Sequence, residues 1–382
     1  MGNTAWNPVV SMVKGVAIIL MVTGHSLPVD NVVRNYIYMF HMPLFFFVSG
    51  YCFKEKYLDD WRTFVRRRVK GLWWPFVKYG VPMVLLHNVF CALHLYGPPC
   101  DVEPYTMTLT AKAVAMQFVM SGAEPLLGAY WFLNTLFGAS LLFFVCRKVA
   151  GKWWTLFVLL VASAACLVLM PYMGALRIVF RMFFAGSYMA LGHLMRTEKI
   201  LSALPHGREP KDQSASILSL PWRWIGWILL AVFVGVGELF LPHEMTDATL
   251  PTMLPCMVVA LAGILMLWEI CRRLQDCISR LFTKIAKELD FIGRHTLTIL
   301  TWHFLAFKAV TLLIIVLYGL PIEQLAAIPI LEEQSAQGWW IVYIVAGVGG
   351  SCALLMKMKN ERFTLRCEKA VSAARQWLRT KY

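Results

Sequence analysis

Lys14, His25 and His41 are ionisable side chains set inside long apolar runs, where charge is costly and a chemical role is the default reading. Lys14 and His25 share the run MVKGVAIILMVTGHS, and His41 opens the run HMPLFFFVSGY. In a helix, residues eleven apart are separated by roughly 1,100° of rotation and about 16 Å of rise, so Lys14 and His25 lie on one face. Ser11 falls within about 40° of the same stripe. One helix face thus offers an ammonium at one level and an imidazole at another. A neutral imidazole is suited to take a proton from a hydroxyl or to accept an acyl group itself. Plainer readings stand beside this one. Lys14 can snorkel to headgroups and His25 can sit at the membrane interface. His41 can simply bond a carbonyl. A short link, 28–35, joins the runs that carry His25 and His41, so their helices are expected side by side and antiparallel, with the two imidazoles near one another. Pro43 costs little near a helix start, where N–H groups are unpaired in any case.

Other residues extend the candidate site. His303, in TLTILTWHFLAFK, lies deep in an apolar run and is either a site residue or a bridge to a neighbouring helix. Arg177 and Arg181 are four apart and share a face, fit to hold an anion or to pair with a carboxylate such as Glu238. In YWFLNTLF, Trp131 is a cavity wall or a belt residue, and Asn134 a hydrogen-bonding group. Glu124 stands in a loop able to fold back over the cavity. His87, His94 and His193 lie near run ends and read as structural. HxxxH, HExxH, G-x-S-x-G and P-loop patterns are absent, and the ten cysteines form no CxxC, so no metal site is expected. Most cysteines fall in apolar runs as small core residues; Cys91 and Cys100 are a candidate disulfide.

Composition says what must position these groups. Of 382 residues, 59% are hydrophobic and 15% charged, against about 25% charged in soluble domains. The expected fold is all-α, a polytopic integral membrane protein of about ten transmembrane helices. The runs are 9–27, 36–53, 72–94, 129–146, 153–170, 174–195, 223–241, 252–270, 293–318 and 338–356, each near the roughly 20 residues a span needs. The segment 111–120 is too short to cross and is expected to re-enter or lie at the surface. The net charge of +14 suggests no nucleic-acid partner, because the basic residues are distributed among the links rather than gathered in one patch. Those links alternate: basic after runs two, four, six, eight and ten, nearly free of Lys and Arg between. The alternation places both termini in the cytoplasm. The first run lacks a basic n-region and an A-x-A site, so it is not read as a cleaved signal peptide. The segment 272–291 and the tail 361–382 have apolar residues at helical spacing and basic polar faces, so both are expected on the membrane surface. The link 205–221 reads as flexible. The domain plan is one membrane domain, 1–360, followed by the basic tail.

Several stretches resemble the acyltransferase-3 family of membrane acyltransferases, most closely its fucose 4-O-acetylase-like branch. KGVAIILMVTGHS matches a basic residue followed, after ten residues, by a catalytic histidine, here Lys14 and His25. FHMPLFFFVSGYCFKEKY carries His41, and FVRRRVKGLWWPF resembles the family's basic stretch ending in a proline, here Pro75. AYWFLNTLF resembles its WFL segment, and IGRHTLTILTWHF a late span with a buried histidine, here His303. The chain departs from many relatives in having Lys14 for arginine, and Asn7 and Ser11 where an arginine and an aspartate stand. The resemblance implies transfer of an acyl group, usually acetyl, from acyl-CoA to a hydroxyl of a sugar or cell-surface polysaccharide precursor, across the inner membrane of a bacterium. No bound cofactor is implied; acyl-CoA is the donor substrate. His25, His41 and Lys14 would then be catalytic. Arg66, Arg67, Arg68 and Lys70 would attract the CoA phosphates. Arg181 or Asn134 would stabilise the oxyanion, with Trp131 and His303 at the substrate. A proton-coupled transporter or flippase is the rival class, disfavoured by the lack of inverted repeats.

Overall fold

In the computed structural model, residues 7–122, 124–203, 216–276 and 280–354 are described, and all the regular structure among them is helical. Helix α1 (Pro8–Ser26) starts where expected, with Pro8 in its first turn and the Asn7 side chain accepting from the Val9 N–H at 3.0 Å. It is buried on nearly every side, by α3 (His41–Tyr51), α12 (Met253–Asp276), α13 (Arg280–Arg294), α14 (Thr296–Tyr318) and α16 (Trp340–Val345). A helix apolar all round belongs in such a centre. The partly open positions Lys14 and His25 face a cavity rather than lipid.

The second run is broken rather than continuous. Helix α2 (Val32–Tyr38) stops, Phe40 leaves helical geometry (φ −141°, ψ −18°), and α3 restarts at His41. The third run begins earlier than expected: α4 (Trp61–Arg68) passes through a π-helical turn, Val69–Trp73, into α5 (Trp74–Leu85), so the basic stretch is helical. Pro75 sits in the first turn of α5 and Pro82 inside it, just before the break to α6 (His87–Ala92). The short helix α7 (Met107–Phe118) packs on α5 and does not span. Runs four and five form α8 (Trp131–Leu169), divided at Gly151, whose φ of +79° is open to glycine and strained for other residues. Helix α9 (Leu176–Thr197) packs along α8 and α3. After the short α10 (Ile200–Ala203) come α11 (Ser216–Phe240) and α12. The last run is assembled from α15 (Glu332–Gln334), α16 and two π-helical turns.

Among the described residues, six helical segments are long and apolar enough to cross a membrane. Large apolar side chains stand exposed on their outer faces, among them Phe157 and Val161 on α8 and Leu313, Val316 and Leu317 on α14. In water such a face would be untenable; in hydrocarbon it is the solvated surface.

One expectation is extended and two are corrected. The segment around 272–291 keeps Leu281, Phe282 and Ile285 exposed, as a membrane-surface helix would, and is also docked on the bundle. Its first part continues α12 and its second, α13, crosses α1 at close quarters. A Cβ on Gly15 would come within 2.2 Å of the Leu289 carbonyl oxygen, and one on Gly293 within 1.7 Å of the Ser11 oxygen. Glycine pairs let helix backbones approach this closely in membranes. Cys91 and Cys100 are both free thiols. The tail 361–382 and residues 205–215 of the link 205–221 lie outside the described residues; residues 216–221, expected in that flexible link, are the first turns of α11 instead.

Candidate active site

A cavity of about 610 Å³ runs along α1 between α3, the α4–α5 turn, the start of α8 and α14. Lys14, Cys52, Tyr57, Phe64, Arg67 and Arg68 line one end; Arg34, Glu244, Thr246 and Glu332 line the other. The wall between is largely apolar, with Ile18, Met21, Phe45, Phe132 and Leu300. His25, Tyr38 and His41 face it towards the second end, so the helical stripe of α1 faces one space as its spacing demands.

His25 is held by Tyr38, a residue the sequence reading missed. The Tyr38 hydroxyl lies 3.3 Å from His25 Nδ1. Behind that phenol, the Arg34 guanidinium sits 4.3 Å from the ring centroid. Arg34 also donates to the Val29 carbonyl at 3.0 Å. The His41 ring also packs on Tyr38, ring centroids 4.9 Å apart. The two imidazoles expected near one another both line this cavity and His41 acts electrostatically on His25, with Tyr38 in contact with each. His41 Nδ1 donates to the Ile37 carbonyl at 2.9 Å; since a carbonyl only accepts, the Nε2 of neutral His41 is an acceptor.

The imidazole that does stack on His25 is His303, at 5.6 Å and 29° between planes, with Phe304 packed edge-on to His25 at 5.1 Å. His303 is fully buried. Its Nδ1 donates to the Ile299 and Leu300 carbonyls, both at 3.0 Å, and its Nε2 has no hydrogen-bond partner among the described residues.

The basic stretch divides. Arg67 and Arg68 line the cavity, and neither has a carboxylate at ion-pair distance among the described residues. Their guanidinium groups lie over the Tyr57 and Phe64 rings at 5.8 and 5.2 Å. Arg66 and Lys70 are exposed and do not reach the cavity. Near Lys14, Ser11 donates to the Asp290 carbonyl at 3.0 Å. The Asp290 carboxylate pairs with Arg294 at 2.6 Å and acts electrostatically on Lys14.

Asn134 and Arg181 stand elsewhere than the sequence suggested. Asn134 donates to the Met120 carbonyl at 2.7 Å and lines a separate groove with Trp73, Phe118 and Gly138, so it is not positioned for an oxyanion in the main cavity. Arg181 does not line the cavity either; its guanidinium packs 5.7 Å from the ring of Trp131, which does. Arg177 pairs with Asp247 rather than with Glu238. Glu238 instead accepts from Asn35 at 3.4 Å.

Beside the cavity, Glu124 is buried in its loop, bonded to His87 Nδ1 at 3.0 Å, while His87 Nε2 donates to the Glu103 carbonyl. Tyr105 stacks on the His87 ring at 3.5 Å. Burial pushes the Glu124 carboxyl above its ordinary pKa, against the opposing pull of His87 and the two tyrosines Tyr105 and Tyr96. Burial, with the Glu124 charge second, raises the Tyr105 hydroxyl to about 12. This cluster fastens the loop that leads into Trp131. Among the described residues, no three His, Cys, Asp or Glu side chains come together as a metal site.

Comparison with known families decides what such a cavity belongs to. An acyltransferase domain matches residues 8–356. The chain belongs to the acyltransferase-3 family. The nodulation protein NolL of Sinorhizobium fredii (strain NBRC 101917 / NGR234) is 35% identical over 179 residues, covering 42% of this chain and 41% of that protein. The chain thus matches less than half of that relative's length. No solved structure matches significantly.

Proposed function

We propose that this acyltransferase-3 family protein moves an acyl group, acetyl in the first instance, from acyl-CoA to a hydroxyl of a sugar or surface-polysaccharide precursor. One observation carries the reading: a single cavity joins two arginines, Arg67 and Arg68, without a carboxylate partner among the described residues, to the imidazole of His25. The alternation of basic links puts the arginine end at the cytoplasm, where acyl-CoA is found, and the His25 end towards the opposite face of a bacterial inner membrane. The motif FHMPLFFFVSGY favours the fucose 4-O-acetylase-like branch.

The phosphates of CoA bind at Arg67 and Arg68 through charge-assisted hydrogen bonds. The thioester arm lies along the apolar wall past Lys14, whose ammonium sits about 16 Å below His25. With Nδ1–H donated to the Tyr38 oxygen, His25 presents the Nε2 lone pair. It takes the proton of the acceptor hydroxyl as the oxygen attacks the thioester carbon. The tetrahedral intermediate then expels the CoA thiolate, which regains the proton from His25 and leaves as CoA thiol. The apolar wall excludes water, which would otherwise compete for the acyl group.

The test is His25→Ala in isolated membranes with acetyl-CoA and a cell-envelope extract as acceptor. CoA release should fall by about 10²- to 10⁴-fold while the variant still inserts. Undiminished release would refute the assignment.

A further inference from the structure

The end of the cavity opposite the arginines has a chemistry of its own. Trp131 presents a ring to the space while Arg181 covers its other side, with 5.7 Å between guanidinium carbon and ring centroid. The segment bearing Glu244 is fixed beside it. The ion pair between Arg177 and Asp247, 3.0 Å, ties this segment to α9 one turn from Arg181, and Thr246 donates to Glu244 at 3.3 Å. Glu244 and Arg34 both act electrostatically on Tyr38, whose hydroxyl touches His25. A ligand between Trp131 and Glu244 is therefore next to the candidate base.

We propose that this end, bounded by Trp131, Glu244 and Arg34, is the acceptor subsite for an uncharged sugar ring, and that Glu244 discriminates against anionic acceptors. The inference rests on the acyl-transfer reading. A pyranose has an apolar C–H face and a rim of hydroxyls, which is the complement of an aromatic platform edged by a carboxylate acceptor and a guanidinium donor. Charge settles which sugars fit. Among the described residues, Arg34 is the only cation lining the space at this end, Arg181 being outside it against Trp131, while two carboxylates, Glu244 and Glu332, line it and neither has a Lys or Arg partner at ion-pair distance. A uronate or phosphorylated sugar would face a surplus of like charge in a confined space, whereas neutral hydroxyls donate to those carboxylates without penalty.

The experiment uses the purified full-length protein in lipid nanodiscs with saturating acetyl-CoA. The acceptor probes are p-nitrophenyl β-D-glucopyranoside and the matching glucuronide, with envelope extract as a control acceptor. The glucoside should be acylated at least about tenfold more efficiently than the glucuronide. Glu244→Gln should narrow that ratio by about fivefold or more. Trp131→Ala should raise the glucoside KM by about tenfold with little change in kcat, and Trp131→Phe should restore it. A glucuronide used as well as the glucoside, or a ratio indifferent to Glu244→Gln, overturns the proposal. So does acylation of the extract with neither glycoside used. If no acceptor, the extract included, drives CoA release, the acyl-transfer reading itself fails and this inference with it.

Discussion

Among the described residues, His25 has a single polar contact, to a hydroxyl, and that contact makes a sharp prediction. Tyr38→Phe keeps the ring that packs on His25 and His41 and deletes the 3.3 Å partner of Nδ1. An imidazole without that acceptor is free to adopt the wrong tautomer, so kcat should fall by about tenfold, the worth of one such hydrogen bond. The acyl-CoA KM should hold, because Tyr38 lies at the other end of the cavity; a raised donor KM with unchanged kcat would contradict the role. A second prediction separates neighbours in the basic stretch. Arg67→Gln and Arg68→Gln each remove a cavity-lining cation without an ion-pair partner and should raise the acyl-CoA KM by about tenfold. Arg66→Gln removes an exposed one and should leave KM within about twofold. The Lys14–His25 face was legible because helical rise and rotation fix it from spacing alone. Tyr38 was not, although it stands four residues after Arg34 and three before His41, because its reach to His25 depends on the break at Phe40. The pairing of His25 with His303 joins residues 278 positions apart, which no periodicity encodes.

Elements place these residues by packing that leaves little slack. Where α1 crosses α13, Gly15 and Gly293 face each other's backbones, and Gly50 on α3 and Gly192 on α9 do the same. Gly293→Val puts a branched side chain where even a Cβ would lie 1.7 Å from the Ser11 oxygen. The helices must then part, at a cost of about 1–3 kcal/mol or more, read as a lower thermal midpoint in detergent. Activity should fall with it, since α1 carries both Lys14 and His25; an unchanged midpoint would mean that α13 is not tightly docked. The amphipathic pattern of this segment was visible in the sequence, but its docking on α1 through Gly293 was not, because no periodicity encodes which helix it meets. The loop before α8 holds a different kind of lock. Burial raises the Glu124 carboxyl above its ordinary value of about 4.3, so its contribution to stability is full at low pH and is lost as pH rises through the raised value. Glu124→Gln remains neutral throughout. Relative to wild type, this variant should therefore gain thermal stability between pH 5 and pH 8, and a relative loss over that window would show the His87 interaction outweighing burial.

At the scale of the whole molecule, the arrangement makes the membrane domain a sleeve around one cavity with unlike ends. The all-helical, apolar character of the chain was readable from hydropathy, since it is set by the bilayer and not by contacts within the protein; of the ten expected runs, six helical segments among the described residues are long and apolar enough to span, because several runs are broken or merged. The cavity was not readable, because it arises where α1 tilts past broken helices and π-helical turns that composition does not announce. Cys52 offers a direct probe of its donor end. It caps α3, lines the cavity near Lys14 and Arg68, and is the one exposed thiol among the described cysteines. A polar maleimide should label it, and the Cys52→Ser variant should lose that label. If acyl-CoA occupies this end, labelling should slow by the factor 1 + [L]/Kd, about tenfold at acetyl-CoA ten times its Kd. Labelling of Lys14→Met by the same reagent should be protected too, since the phosphates are held by Arg67 and Arg68. The double variant Arg67→Gln with Arg68→Gln should lose most of the protection. Equal labelling with and without acetyl-CoA in the wild type would place the donor outside this cavity and break the link between the arginines and His25.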